Sequence, residues 1–328
     1  MRKKPTARCL RRMSRAVRGL DCRDMAKFIR TRGRIRRFYG RHEIFLNRLF
    51  NGLLSFLILS VLSNYFGFAK ILSHAWIVPL LSVLCAFLPV SGAALVMQMY
   101  LLIQLLSLSF GVSVTLLVML VLSYALCAGY QARKVNYIVS VTAWQRLRIP
   151  YLASMQAALL GGAQEVIAIV CGSVVSFYLK EVYDNAALLK NGADALSSIG
   201  LLRDNVFGNP LFYIYVIAMA ALFVVVYTIR TMNIRHAWVV AVTSGVVVEF
   251  ILMLSGYLFI GQRSRIPELM IANLITFLVG IATNYIVLDL DYTRIERVQF
   301  EDDEYYYYVT AVPKIRLAEE EKKVKKLS

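Results

Sequence analysis

Two carboxylates stand inside stretches otherwise built for hydrocarbon: Glu165, just after Gly161-Gly162, and Glu249, shortly after Gly245. An ionised group at bilayer depth is expensive, so it normally faces a cavity, a partner or a proton path. The chemistry on offer is proton or cation coupling. The alternative is structural, with Glu165 near the start of a helix and Glu249 in an interhelical hydrogen bond. Gln98, Gln104 and Gln164 carry the same ambiguity, since a buried amide can line a cavity or act as packing glue between helices.

No catalytic constellation accompanies these groups. The chain lacks a Walker loop, a GxSxG turn and an HExxH pair, so the expectation is no enzyme activity. Cys9, Cys22, Cys85, Cys127 and Cys171 are widely spaced, and His42, His74 and His236 are isolated. Neither a disulfide framework nor a metal site is expected, and no cofactor.

The elements that must position the carboxylates are apolar helices. The chain of 328 residues is 59% hydrophobic and only 17% charged, with mean hydropathy +0.60. That excludes an ordinary soluble domain. From Ile71 to Ala132 no Lys, Arg, Asp or Glu occurs in 62 residues. As helix this block would extend roughly 93 Å, about three times the hydrocarbon thickness. Breaks at Pro89-Val90-Ser91-Gly92 and at Ser107–Gly111 divide it into 75–88, 93–109 and 112–130. Arg133, Lys134, Arg146 and Arg148 mark 131–150 as a loop on the side of the basic N-terminus, which requires an even number of crossings between them.

The expectation is an all-α polytopic transmembrane helical bundle of about eight spans, with six to eight as the range. The remaining spans are 49–68, the stretch after Pro150 interrupted at Gly161-Gly162, then 210–229, 236–260 loosened at Ser244-Gly245, and 269–288. Between 180 and 209 a polar loop carries Leu188, Leu189, Ala193, Leu196, Ile199 and Leu202 near helical period, which predicts an amphipathic surface helix. Pro79 leading to Ser91-Gly92, and Pro150 leading to Gly161-Gly162, form a weak internal repeat of interrupted helices, a pattern found in transporter folds. Pro89, Gly92, Gly161, Gly162 and Gly245 are therefore the expected helix breaks.

Three segments follow: a basic region at 1–48, the transmembrane domain at 49–289, and an acidic, tyrosine-rich tail at 290–328. Residues 1–48 hold 17 Lys and Arg against Asp21, Asp24 and Glu43, net +14 of the total +17. Such a block is expected to be a cytoplasmic anchor for anionic headgroups, with either a surface helix or solvated chain from Met25 onward and solvated chain over 1–24. Nucleic acid is not an expected partner, because no aromatic interleaving or binding motif accompanies the charge. In the tail, Tyr305, Tyr306, Tyr307 and Tyr308 open a run of strand formers to Val312, which could add to the edge of a soluble partner.

The stretches FLPVSG, RIPYLASMQAALLGGAQEVIAIVCGSVVSFYLKEVYDNAA and DYTRIERVQFEDDEYYYYVTAVPKI carry a resemblance. Together they resemble a clostridial (Firmicutes) family of polytopic membrane proteins with an EDDEYYYYVxAVPKI tail. The resemblance implies organism class and membrane location, and no activity or site residue. It begins near GRIRRFYGRHE, which implies that translation starts at Met25; an intact-mass measurement finding Met1 on the native protein would contradict that. Two functions follow as expectations: a small-solute or ion transport component of the plasma membrane, or a scaffold for cell-envelope assembly acting through its tail. Both termini are expected to be cytoplasmic.

Overall fold

A computed structural model describes residues 42–69, 72, 74, 76–130, 135–190, 195–232, 237–287, 296–301 and 306–311. Two compact units emerge, one of 47–287 and one combining 1–46 with 288–328. The first is an all-α bundle. In the second, β1 (Glu296–Glu301) and β2 (Tyr306–Ala311) form an antiparallel hairpin with Glu296 opposite Ala311 and Glu301 opposite Tyr306. The strand expected at the tyrosine run therefore exists, and its ladder partner is its own chain. Tyr305, the basic segment through Arg41 and the last residues from Val312 lie outside the described residues.

The bundle consists of α1 (Glu43–Tyr65), α2 (Ile77–Phe87), α3 (Val90–Leu106), α4 (Phe110–Gly129), α5 (Asn136–Arg146), α6 (Tyr151–Leu160), α7 (Glu165–Asp184), α8 (Ala186–Lys190), α9 (Ala195–Phe207), α10 (Pro210–Thr231), α11 (Ala237–Ile260) and α12 (Ile266–Val287). Six of these are long and apolar enough to cross a membrane: α1, α4, α7, α10, α11 and α12. That is the low end of the expected range. At 11 residues α2 rises only about 17 Å, well short of the roughly 30 Å of hydrocarbon. Outward side chains such as Leu53, Val121, Ile251 and Leu278 are more than half exposed along the long helices, which is the surface a lipid solvent requires.

Contacts give each helix its direction. The end of α1 reaches Arg146 and Tyr183, and Gly52 near its start lies against Ala86 at the end of α2. The Gln104 side chain, late in α3, accepts from the Ala69 amide at 2.9 Å. Tyr178 in α7 donates to the Val112 carbonyl at the start of α4. Helices α2, α3 and α4 thus alternate in direction, and α4 finishes at the end of the bundle where α1 begins. Val287 finishes there too, because α12 starts at the opposite end beside Arg148.

The breaks have distinct causes. Proline lacks an amide hydrogen and suits the start of a helix, so the chain stops at Phe87 and restarts after the extended Pro89. Gly161 is extended, and α6 ends there before α7 restarts at Glu165. Gly92 and Gly245 are corrections. Gly92 lies inside the first turn of α3, and α11 runs unbroken through Gly245. A Cβ at Gly245 would collide with the Val226 side chain and lie 3.1 Å from Leu222 Cδ1. That glycine lets α10 and α11 approach closely, a packing role that composition alone does not separate from a break.

The loop expected at 131–150 is also corrected. Residues 136–146 form α5, whose Tyr137–Ala143 are all buried. Gly172 of α7 receives its backbone, since a Cβ there would lie 3.0 Å from Ile138 Cα. Further along, the Arg146 guanidinium donates to the Leu179 carbonyl at 2.9 Å, so α5 runs parallel to α7 and carries Arg146 and Arg148 to the far end. The surface helix expected between 180 and 209 is α9, with Leu202 and Val206 buried, whereas Leu188 is exposed.

Candidate functional site

A cavity of about 560 Å³ opens at the end where α1, α7 and α11 finish and α10 and α12 begin. Its polar lining includes Arg146, Arg148, Lys180 and Arg265 against Asp184 and Glu268, and its walls carry Tyr65, Tyr151, Tyr183, Tyr215 and Tyr257.

Each cation is placed by the helix ends around it. Arg146, the last residue of α5, lies under three rings, with Cζ 5.0 Å from the Tyr65 and Phe66 centroids and 4.5 Å from that of Tyr183. Aromatic faces attract a guanidinium through their quadrupole, so this cage holds the group in place. The helix then closes in a Schellman turn: the Ile149 amide bonds the Trp144 carbonyl at 2.9 Å and the Arg148 amide bonds that of Gln145 at 3.0 Å. Arg148 occupies the left-handed position with φ +63°, where glycine is the usual residue. Pro150 follows and caps α6. The end of α11 makes the same turn with Gly261 at φ +79°. Arg148 pairs with Glu268, and Lys180 with Glu181 at 3.5 Å and Asp184 at 4.0 Å.

Glu249 lies one helical turn below Met253, which lines the cavity. Its side chain is fully buried, and neither carboxylate oxygen has a hydrogen bond. The Asn273 and Tyr151 side chains approach it, without the geometry of a good bond, and Tyr215 and Tyr257 also face it. Tyr151, Tyr215 and Tyr257 belong to the cavity wall as well. The carboxylate is therefore separated from the cavity by a layer of tyrosines. Two anchors hold this floor: Ser154 donates to the Met219 carbonyl at 2.8 Å, and the Gln156 amide donates to Thr283 Oγ1 at 2.9 Å.

The other polar residues expected in one cavity do not join it. Glu165 is buried in the first turn of α7, at the opposite end, with Cys127, Tyr137 and Gly161 as neighbours. Gln164 is exposed just before that helix. Gln98 is buried between α3 and α4, where Tyr124 is its polar neighbour. Pro89 likewise stays away from the cavity lining. The Gly161-Gly162 break serves another end: Arg230 donates to the Leu159 carbonyl and, at 3.2 Å, to the Gly161 carbonyl. Its guanidinium lies over Tyr227 and Trp238. The exposed backbone acceptors at that interruption are thus capped by an arginine.

Sequence reading missed Arg146, Lys180, Arg265 and the tyrosine floor. The signal was present in RLRIPYL, where two arginines close a helix just before a proline, but the charges favoured a solvated loop. Among the described residues no three His, Cys, Asp or Glu side chains gather closely enough to hold a metal. No known protein family, curated protein or solved structure matches the chain.

Proposed function

We propose that this multi-pass membrane protein is a small-solute or ion transport component of a bacterial plasma membrane, with the solute entering the cavity and Glu249 exchanging the coupling proton. One observation supports this reading most: a fully buried carboxylate without a hydrogen bond lies beneath a cavity at one end of a membrane bundle. A glutamate kept for packing would be expected to hold its partners, because an unsatisfied buried polar group is costly. Tyr151 and Tyr257, which face both the carboxylate and the cavity, offer hydroxyls for proton passage between them. Membership of the clostridial family suggested by the tail fits this location. The basic residues 1–48 favour a cytoplasmic N-terminus against anionic headgroups, which puts both ends of the bundle unit inside and the cavity outside.

The test uses full-length protein in liposomes with a trapped pH dye, challenged with a mixture of amino acids, dicarboxylates and sugars. Solute-dependent internal acidification is expected from the native chain and lost in Glu249→Gln. Equal acidification by the two, or none above empty liposomes, would overturn the reading.

The hairpin favours a second reading, a scaffold that recruits a cytoplasmic partner. Among the described residues the ladder has two strands, which leaves an edge on each for strand addition. Removing 296–311 would then lose a co-purifying protein while membrane insertion survives; identical co-purification from both forms would sink it.

A further inference from the structure

We infer that the cavity takes a small organic anion, its acidic group held by Arg146 and Arg265 and its body laid against the tyrosine rings. This rests on the transport reading of the same cavity and specifies the solute class. The charge balance carries the argument. Of the four cations in the lining, Arg148 and Lys180 are paired with carboxylates, whereas Arg146 and Arg265 make no ion pair among the described residues. Asp184 acts on Arg146 only from beyond ion-pair distance. Glu181 and Asp184 share Lys180, so the four cations stand against three carboxylates and one net positive charge remains, with both unpaired guanidiniums in the lining; a cationic solute would meet them as repulsion.

Geometry sharpens the class. A guanidinium presents a planar fork that matches the two oxygens of a carboxylate or phosphate, and the ring cage fixes the fork of Arg146 in advance. One of its N–H groups is used on the Leu179 carbonyl, leaving further donors. A cavity of about 560 Å³ is far larger than an inorganic ion and falls within the range that holds organic ligands. Five tyrosines supply apolar faces with polar tips for such a body. Arg148 adds an independent sign. A left-handed arginine where the neighbouring turn uses Gly261 keeps a strained backbone for the sake of a side chain at the mouth.

The test is calorimetric titration of full-length protein in nanodiscs at fixed ionic strength with benzoate, glutarate, inorganic phosphate and benzylammonium. Benzoate and glutarate are expected to bind and benzylammonium not. Arg265→Gln, at the mouth and without a described ion pair, is expected to weaken the anions about tenfold. Arg146→Lys keeps the charge without the fork and is expected to weaken them by a similar factor. Benzylammonium binding as tightly as benzoate, phosphate binding more tightly than either organic anion, no anion binding, or unchanged affinity in both variants would overturn the inference. Anion binding without solute-linked proton flux would sink the transport reading alone; flux driven by cations would leave that reading and sink the anion.

Discussion

Glu249→Met separates a functional carboxylate from a structural one. Methionine is close to glutamate in length, has no polar hydrogen-bonding need and adapts to irregular gaps. In the native chain both Glu249 oxygens are buried without a hydrogen bond. An unsatisfied buried polar group costs about 1–3 kcal/mol. A near-isosteric apolar replacement usually costs under about 1.5 kcal/mol in strain. The net expectation is a gain of about 1 kcal/mol, which for a unit of this size raises the melting temperature by about 2–4 °C. Intrinsic fluorescence during heating of the nanodisc-embedded protein reads that shift. The same variant should lose solute-linked proton flux. A Met variant less stable than the native chain by about 2 kcal/mol or more, with stability restored in Glu249→Gln, would refute the reasoning. The carboxylate would then be holding α6, α11 and α12 together.

Arg148→Gly removes the left-handed strain, worth about 1 kcal/mol, and also an ion pair between exposed groups worth at most about 1 kcal/mol. Thermal unfolding should therefore move little, while benzoate affinity falls. Gly245→Val puts methyl groups into the Val226 contact and should destabilise the bundle by about 1–3 kcal/mol, read as a lower melting temperature; an unchanged value would show that α10 and α11 can part freely. Arg230→Leu strips the Leu159 and Gly161 carbonyls of their donor. Hydrogen exchange should then quicken around 160–166, with a loss of about 1–3 kcal/mol.

The class of the molecule and several of its joints can be read along the chain. A charge-free block of 62 residues has no soluble solution, and Pro89 and Gly161 interrupt helices through local backbone chemistry. Glu249 stands out because a charge among apolar neighbours is conspicuous in one dimension. Glu165 stands out for the same reason, yet it lies in the first turn of α7, away from the cavity, with other neighbours. Gly245 shows the limit differently: a glycine within an apolar run signals either a bend or a close contact, and only the partner helix decides between them.

Sequence alone determined the membrane environment, the approximate helices and the expense of a buried carboxylate, because hydropathy and backbone chemistry act over a few residues. Tertiary structure decided that α5 and α6 fold back into the bundle, turning Arg146 from a loop charge into a caged one. It also decided that residues from α1, α5, α6, α7, α10, α11 and α12 meet around one cavity above Glu249. Their separation along the chain leaves no local pattern to detect. Charge balance around that cavity is a sum over helix ends, and it exists only once those ends are brought together.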